Sequence, residues 1–309
     1  MKSGRTMAKA KTIHVYLPEP MRRDAAAGRV NIINRIAASV KPFAGRLVFH
    51  SDDPKELAKA PTRAGSALFH MTEPLAPTGL TLRRAYYYPF WQIENCAARW
   101  SFDVAKAAFD PVKIDSVAAK SFFIRLHDRV LGQGAVARDG YIFMPLQGRL
   151  SEHRSFQSAS PLAMIDATLA HSRDLPIFAS LHPKENYSAS DMAALADLEQ
   201  RFPRFRLVQA DAIGLLRGCD YVVTQNSALA LSGYLLQKPA VLFAGTDFHH
   251  IAGSVPRDGV EEAFARCAAT APDFSAYIYW FFKGNTINAG SPEAERQITE
   301  RLRRHGWLP

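Results

Sequence analysis

Apolar residues along this chain fall into short blocks separated by polar turns, and the blocks alternate between two spacings. Thr12-Ile13-His14-Val15-Tyr16-Leu17, closed by Pro18 and Pro20, is the continuous apolar run of a buried strand. Ile32, Ile33, Ile36 and Val40 then recur at helical spacing. Residues 46–50 and 66–71 read as two further strands, and residues 82–91 are aromatic and β-prone. From Trp91 to Leu131 the spacing turns helical, with Phe122, Phe123, Leu126 and Val130 on one side. Strands alternating with helices predict βαβ units and a mainly parallel sheet.

Gly132-Gln-Gly-Ala-Val-Ala-Arg-Asp-Gly140 interrupts the pattern and is the expected linker, dividing the chain into domains 1–135 and 136–309. The second half restarts more clearly. Strands are expected at residues 141–146, 175–181, 206–208, 220–224 and 239–243. Helices are expected at residues 160–171, from the Ser188/Ser190 cap to Phe202, at 211–216 and at 228–236. Residues 273–282 carry Tyr277, Tyr279, Trp280, Phe281 and Phe282, for which buried packing is the expectation. Ser291-Pro292-Glu293 opens a last helix that ends in Arg301, Arg303 and Arg304 before Gly306, a basic last turn that suits the helix dipole. The expected fold class is α/β with two Rossmann-like lobes.

In such sheets ligands bind beyond the carboxyl ends of the strands, and four polar loops follow strands of the second half. The first, residues 146–155, offers Gln147, Arg149, Glu152, His153 and Arg154. Glu152 or His153 would serve as general base on an acceptor hydroxyl, and Arg149 or Arg154 would pair with phosphate. The second is His182-Pro183-Lys184-Glu185. The third, Thr224-Gln225-Asn226-Ser227, leads into an apolar helix whose start attracts an anion, with Asn226 or Ser227 as its cap. The fourth holds Asp247, His249 and His250. Adjacent histidines rarely point the same way, so hydrogen bonds lining a cleft are expected there rather than a metal.

Composition narrows the classes. An apolar share of 48% and a charged share of 22% are globular values. No run nears the ~18 apolar residues of a membrane span, residues 1–11 form a polar, basic tail with no signal-peptide core, and Cys96, Cys219 and Cys267 suggest a reducing compartment. A cytoplasmic protein is expected. The net charge of +9 is dispersed, which suits phosphate-bearing ligands or an anionic membrane face, and no nucleic-acid-binding signature accompanies it. A dinucleotide fingerprint, a Walker A loop and a G-x-S-x-G elbow are all absent from the sequence.

Taken in order, Phe143-Met-Pro-Leu-Gln147, Leu181-His-Pro-Lys184, Leu215-Leu216, Asp220-Tyr-Val-Val-Thr-Gln-Asn-Ser227, Gly233 and Lys238-Pro-Ala-Val-Leu-Phe-Ala-Gly245 resemble the bacterial capsule polysaccharide biosynthesis proteins. That family includes Kdo transferases of the two-lobed GT-B architecture. The resemblance covers about 110 residues and leaves the first half unmatched. It implies a metal-independent glycosyltransferase with no cofactor beyond its donor substrate, CMP-Kdo or another nucleotide sugar. The acceptor would be a saccharide or glycolipid, and the enzyme would work at the inner membrane surface or beside polysaccharide-assembly proteins. His182 and Pro183 would contact donor nucleotide or phosphate, Asn226 and Ser227 would bind phosphate, and Gln147 would border the reaction centre. A carboxylate often follows that glutamine by four residues in the family; this chain has Ser151 there, and Glu152 next. Two other readings stand beside this one. One is a nucleotide-sugar epimerase drawing a carboxylate from Asp103, Asp110 or Asp115. The other is a degenerate transferase acting as a binding or assembly subunit.

Overall fold

The computed structural model describes residues 11–172, 175–269 and 271–309, so all but Lys11 of the expected N-terminal tail lies outside the described residues. Its strands are, in chain order, β1 (Lys11–Leu17), β2 (Gly45–Ser51), β3 (Ser66–His70), β4 (Gly79–Arg84), β5 (Phe90–Glu94), β6 (Ile142–Pro145), β7 (Ile177–Ser180), β8 (Phe205–Leu207), β9 (Tyr221–Thr224), β10 (Ala240–Leu242), β11 (Gly253–Ser254) and β12 (Ile287–Asn288). They form two sheets, ordered β12-β5-β4-β3-β1-β2 and β11-β10-β9-β6-β7-β8.

The chain divides into two compact units: residues up to Asp103 with Phe282–Pro309, and Val104–Phe281. The units therefore part elsewhere than at the expected Gly132–Gly140 linker, because that stretch is bonded into the second unit. Ala137 N–H donates to Arg217 O at 3.0 Å and Asp139 N–H to Gly218 O at 2.9 Å, while the Arg217 guanidinium holds the carbonyls of Leu131 and Gly134. The C-terminal helix, expected with the second half, belongs to the first unit. Its Ile298 and Leu302 share a core with Ile32, Ile36 and Val40, and its Glu295 pairs with Arg35 at 2.6 Å.

In the first unit β1–β4 run parallel, as the alternating pattern predicts. The aromatic stretch 82–91 is not one strand. It comprises the end of β4, a turn over residues 85–89 and the start of β5, and the two strands pair antiparallel with Thr81 opposite Glu94; β12 adds antiparallel beyond β5. The helical stretch expected from Trp91 begins later, after β5, and its main element is the helix Ser116–Leu131, capped by the Asp115 carboxylate.

Every neighbouring pair in the second sheet is parallel. β6 sits at its centre. The chain first runs outward through β7 and β8, then returns to the other side of β6 with β9, β10 and β11, so the carboxyl ends of β6 and β9 adjoin where the order reverses. Ile142, Met144, Ile177, Val223 and Val241 bury their side chains in one core with Met164, Leu195 and Phe264 from the covering helices. Ser160, Ser188 and Asp211 cap the helices that follow them, and Ser188, the start expected from the sequence, makes a complete capping box with Asp191. The segment Phe274–Tyr279 is helical, with Phe274 and Tyr277 buried and Phe281 after it buried too, as expected of the aromatics near Trp280.

Candidate functional site: the carboxyl edge of the second sheet

Four consecutive strands, β7, β6, β9 and β10, end on the same edge, and the four polar loops follow them. Parallel pairing forces this result. It requires all of these strands to deliver their carboxyl ends to one side.

Side-chain hydrogen bonds hold the loop after β9. The Thr224 hydroxyl is buried and donates to Pro145 O at 2.9 Å, tying the end of β9 to the end of β6. Gln225 is buried, and its Nε2 donates to Ala159 O at 3.0 Å. Asn226 is half-buried and donates to Gly245 O at 3.3 Å, joining this loop to the one after β10. Of the two expected caps it is Ser227 that caps the helix Ala228–Leu235, accepting from Leu229 N–H at 3.3 Å. A capped helix start beside polar side chains attracts negative charge.

After β7, His182 is exposed and its Nδ1 accepts from Lys184 N–H at 3.2 Å. That bond places the ring proton on Nε2, which is then a donor toward solvent. Tyr187 Oη accepts from His182 N–H at 2.8 Å and steadies the turn, while Pro183 and Lys184 are exposed. Glu185 was not among the expected site residues, yet a Cβ at Gly148 would lie 2.5 Å from its Oε2, so the loops after β6 and β7 touch there.

The loop after β6 separates the expected catalytic groups. Arg149 occupies a left-handed backbone conformation (φ 62°), uncommon for a residue with a side chain. Its guanidinium pairs with Glu152 at 3.2 Å, and both side chains are exposed. His153 is exposed, and its Nε2 donates to Gln157 O at 2.7 Å, which leaves Nδ1 as the lone-pair nitrogen, the form that a base requires. Gln147 is half-buried, with its Oε1 buried and unpartnered.

The loop after β10 departs from expectation. Asp247 is wholly buried. The His249 ring donates to Ala105 O at 3.0 Å and stacks on His250 at 4.3 Å between centroids. Burial holds both imidazoles below their ordinary range, His250 at about 4, so both are neutral at pH 7. His250 also meets Tyr277 Oη at 3.0 Å. Asp247 and His249 thus serve the interior rather than the loop surface, because Phe248 between them is itself buried and draws the turn inward.

The carboxylates proposed for epimerase chemistry are engaged elsewhere. Asp110 and Asp115 cap helical turns, and Asp103 pairs with Arg301 and Arg304. Among the described residues, the group of possible metal-ligating side chains is Glu94, Asp103 and His305 in the first unit, where those arginines supply the countercharge.

No family model matches the chain, and no curated protein matches it. Solved structures do. The β-Kdo 2,7-transferase KpsC of Thermosulfurimonas dismutans superposes over 94% of this chain and 99% of its own, with a TM-score of 0.52 at 13% identity. This chain has its fold. The β-Kdo 2,4-transferase of the same organism's KpsC matches over 88% of this chain and 98% of its own (TM-score 0.44, 12% identity). UDP-GlcNAc 2-epimerase from Neisseria meningitidis bound to UDP-GlcNAc matches over 95% and 100% (TM-score 0.34, 11% identity). The two Rossmann-like α/β units expected from the capsule-protein resemblance are present, including in the first half, where no motif pointed to them.

Proposed function

We propose that the protein is a metal-independent glycosyltransferase that moves a sugar from a nucleotide-sugar donor, CMP-Kdo first among the candidates, to a surface or capsular polysaccharide acceptor. One observation carries this reading. A chain with the fold of a β-Kdo transferase sets Gln147, His182 and Asn226–Ser227, the residues of the capsule-protein resemblance, on the ends of three adjacent strands.

The chemistry follows from the groups available. A base takes the proton of the acceptor hydroxyl, whose oxygen bonds to the anomeric carbon as the bond from that carbon to the phosphate oxygen breaks. The nucleotide leaves with the electron pair. In this reading His182 Nε2–H, Lys184 and the helix start at Ser227 stabilise the charge developing on the phosphate. Glu152 and His153 are the two bases on the loop after β6. His153 is held in the tautomer that accepts a proton at Nδ1, whereas Glu152 must first leave Arg149.

Epimerisation lacks support because its three candidate carboxylates hold structural roles. Among the described residues no helix is long and apolar enough to cross a membrane. The helix Ser116–Leu131 exposes Val117 and Ile124 beside Lys120 and Arg125, which supports peripheral contact with an anionic inner-membrane face.

Nucleotide release from a panel of CMP-, UDP- and GDP-sugars, measured with chelator present, tests the proposal. One donor should turn over. If Glu152→Gln, His153→Gln and His182→Ala all left that turnover unchanged, the site assignment would fall although the activity stood. Nucleotide binding without turnover would favour the binding-subunit reading.

A further inference from the structure

The polar groups between the ends of β6 and β9 are tied together by their backbones but not satisfied by one another. Arg154 N–H donates to Gln157 Oε1 at 2.8 Å, and Gln157 N–H returns a bond to Arg154 O at 2.9 Å. Gln157 bridges to Ala244, whose N–H donates to Gln225 O at 3.1 Å. These residues form one connected wall.

On that wall five side-chain atoms are buried without a partner: Arg154 Nε and Nη2, Gln157 Nε2, Gln225 Oε1 and, from the start of the same loop, Gln147 Oε1. Gln157 is 6% exposed and Gln225 0%. Unpaired buried polar groups are costly, and a guanidinium is among the costliest. Nε and Nη2 are the two donors on one side of the guanidinium, the fork that grips both oxygens of a carboxylate or phosphate. The Phe156 ring, 5.0 Å from Arg154 Cζ, supports the plane of that fork from its face. Among the described residues no carboxylate pairs with Arg154.

The unpartnered set mixes donors with acceptors. A bare anion would satisfy Arg154 and the Gln157 amide, but it would leave the two glutamine oxygens empty. An oxyanion flanked by hydroxyl groups satisfies both kinds.

We propose that Arg154, Gln157 and Gln225, with Gln147 at the rim, form a seat for an oxyanion that carries neighbouring hydroxyls, with Arg154 as its bidentate anchor. The seat rests on the transferase reading only for its physiological ligand. The oxyanion would come from the carboxylate of an acidic sugar or from a phosphate joined to ribose.

Titration of the whole protein with gluconate, ribose 5-phosphate and inorganic phosphate separates these sources. The 15N–H resonance of Arg154 Nε should shift on saturation with gluconate or ribose 5-phosphate, and inorganic phosphate should bind at least tenfold more weakly. Arg154→Lys, which keeps the charge and loses the fork, should weaken the preferred probe tenfold or more. A loss confined to gluconate assigns the seat to a sugar carboxylate, and one confined to ribose 5-phosphate to the nucleotide. An unmoved Nε resonance with all three probes overturns the seat and needs no variant to fold, as does affinity within twofold in Arg154→Lys. Probe binding that depends on Arg154 without turnover of any nucleotide sugar would remove the transferase reading and leave the seat standing.

Discussion

Replacing Arg301 by methionine should damage the first unit in a way that depends on pH. Arg301 is 8% exposed and donates to Glu94 at 3.3 Å and to Asp103 at 3.1 Å; Glu94, at the end of β5, is 1% exposed. Burial pushes the Glu94 carboxyl from 4.5 up to about 7, against the opposing pull of Arg301. With the folded value above the unfolded one, the native state holds the extra proton between those pH values. The contribution of Glu94 is therefore complete below pH 4.5 and lost as pH rises through 7, a displacement worth roughly 3 kcal/mol. Methionine keeps the length and bulk of the side chain while removing its charge. At pH 8 it removes the cation that lets the buried Glu94 ionise, so the carboxylate must either stay unpaired or take up a proton, and breaking a buried pair in this way costs about 3–5 kcal/mol. Near pH 5 the carboxyl is protonated, so the loss should shrink by at least ~2 kcal/mol. Urea unfolding at both values, followed by fluorescence of the buried Trp91 and Trp307 of that core, measures the difference. Glu94→Gln in the same chain should restore most of the loss at pH 8. Equal losses at both pH values, or no restoration, would refute the reasoning.

Ser227→Ala should cost about 1 kcal/mol through the lost cap and weaken phosphate affinity, read by thermal unfolding with and without inorganic phosphate; unchanged unfolding without the anion would contradict the cap. Gly253→Ala places a methyl group against the backbone carbonyl of Ala263, where only backbone movement can relieve the overlap. A loss of roughly 3 kcal/mol in urea unfolding is expected, and a silent substitution would mean that β11 packs otherwise. Thr224→Val removes the buried bond to Pro145 O while keeping the shape of the side chain. It should lower stability by about 1–3 kcal/mol and reduce turnover more than Thr224→Ser.

The second unit was legible because each element carries its own local signal. Ser160, Ser188 and Asp211 mark helix starts through their side-chain bonds, and the apolar runs of β6, β7 and β9 are long enough to betray buried parallel strands. Partnership between distant segments was not legible. β12 has two residues and no periodicity, and the amphipathic final helix would suit either core. Its assignment rests on pairs such as Arg301 with Glu94, 207 residues apart, and local spacing says nothing of these. Arginines that read as dipole partners at a helix end are in part a buried ion network.

The site divided along similar lines. A position after a strand end put His182, Asn226 and Ser227 on one sheet edge, because parallel strands leave their following loops little choice of side. The same rule misplaced His249 and Asp247. It locates a loop but does not tell which way its side chains turn, and burial of Phe248 turned these inward. Gln157 escaped notice altogether, since a glutamine inside a polar loop carries no signal until its neighbours show it buried.

The position of a bound nucleotide tests the donor site most directly. A crystal structure of the protein soaked with CMP or UDP should place the phosphate oxygens against the backbone N–H groups at the start of the helix Ala228–Leu235, within reach of His182 Nε2. A nucleotide bound elsewhere, or no nucleotide bound at millimolar concentration, would contradict the assignment of this sheet edge as a donor site.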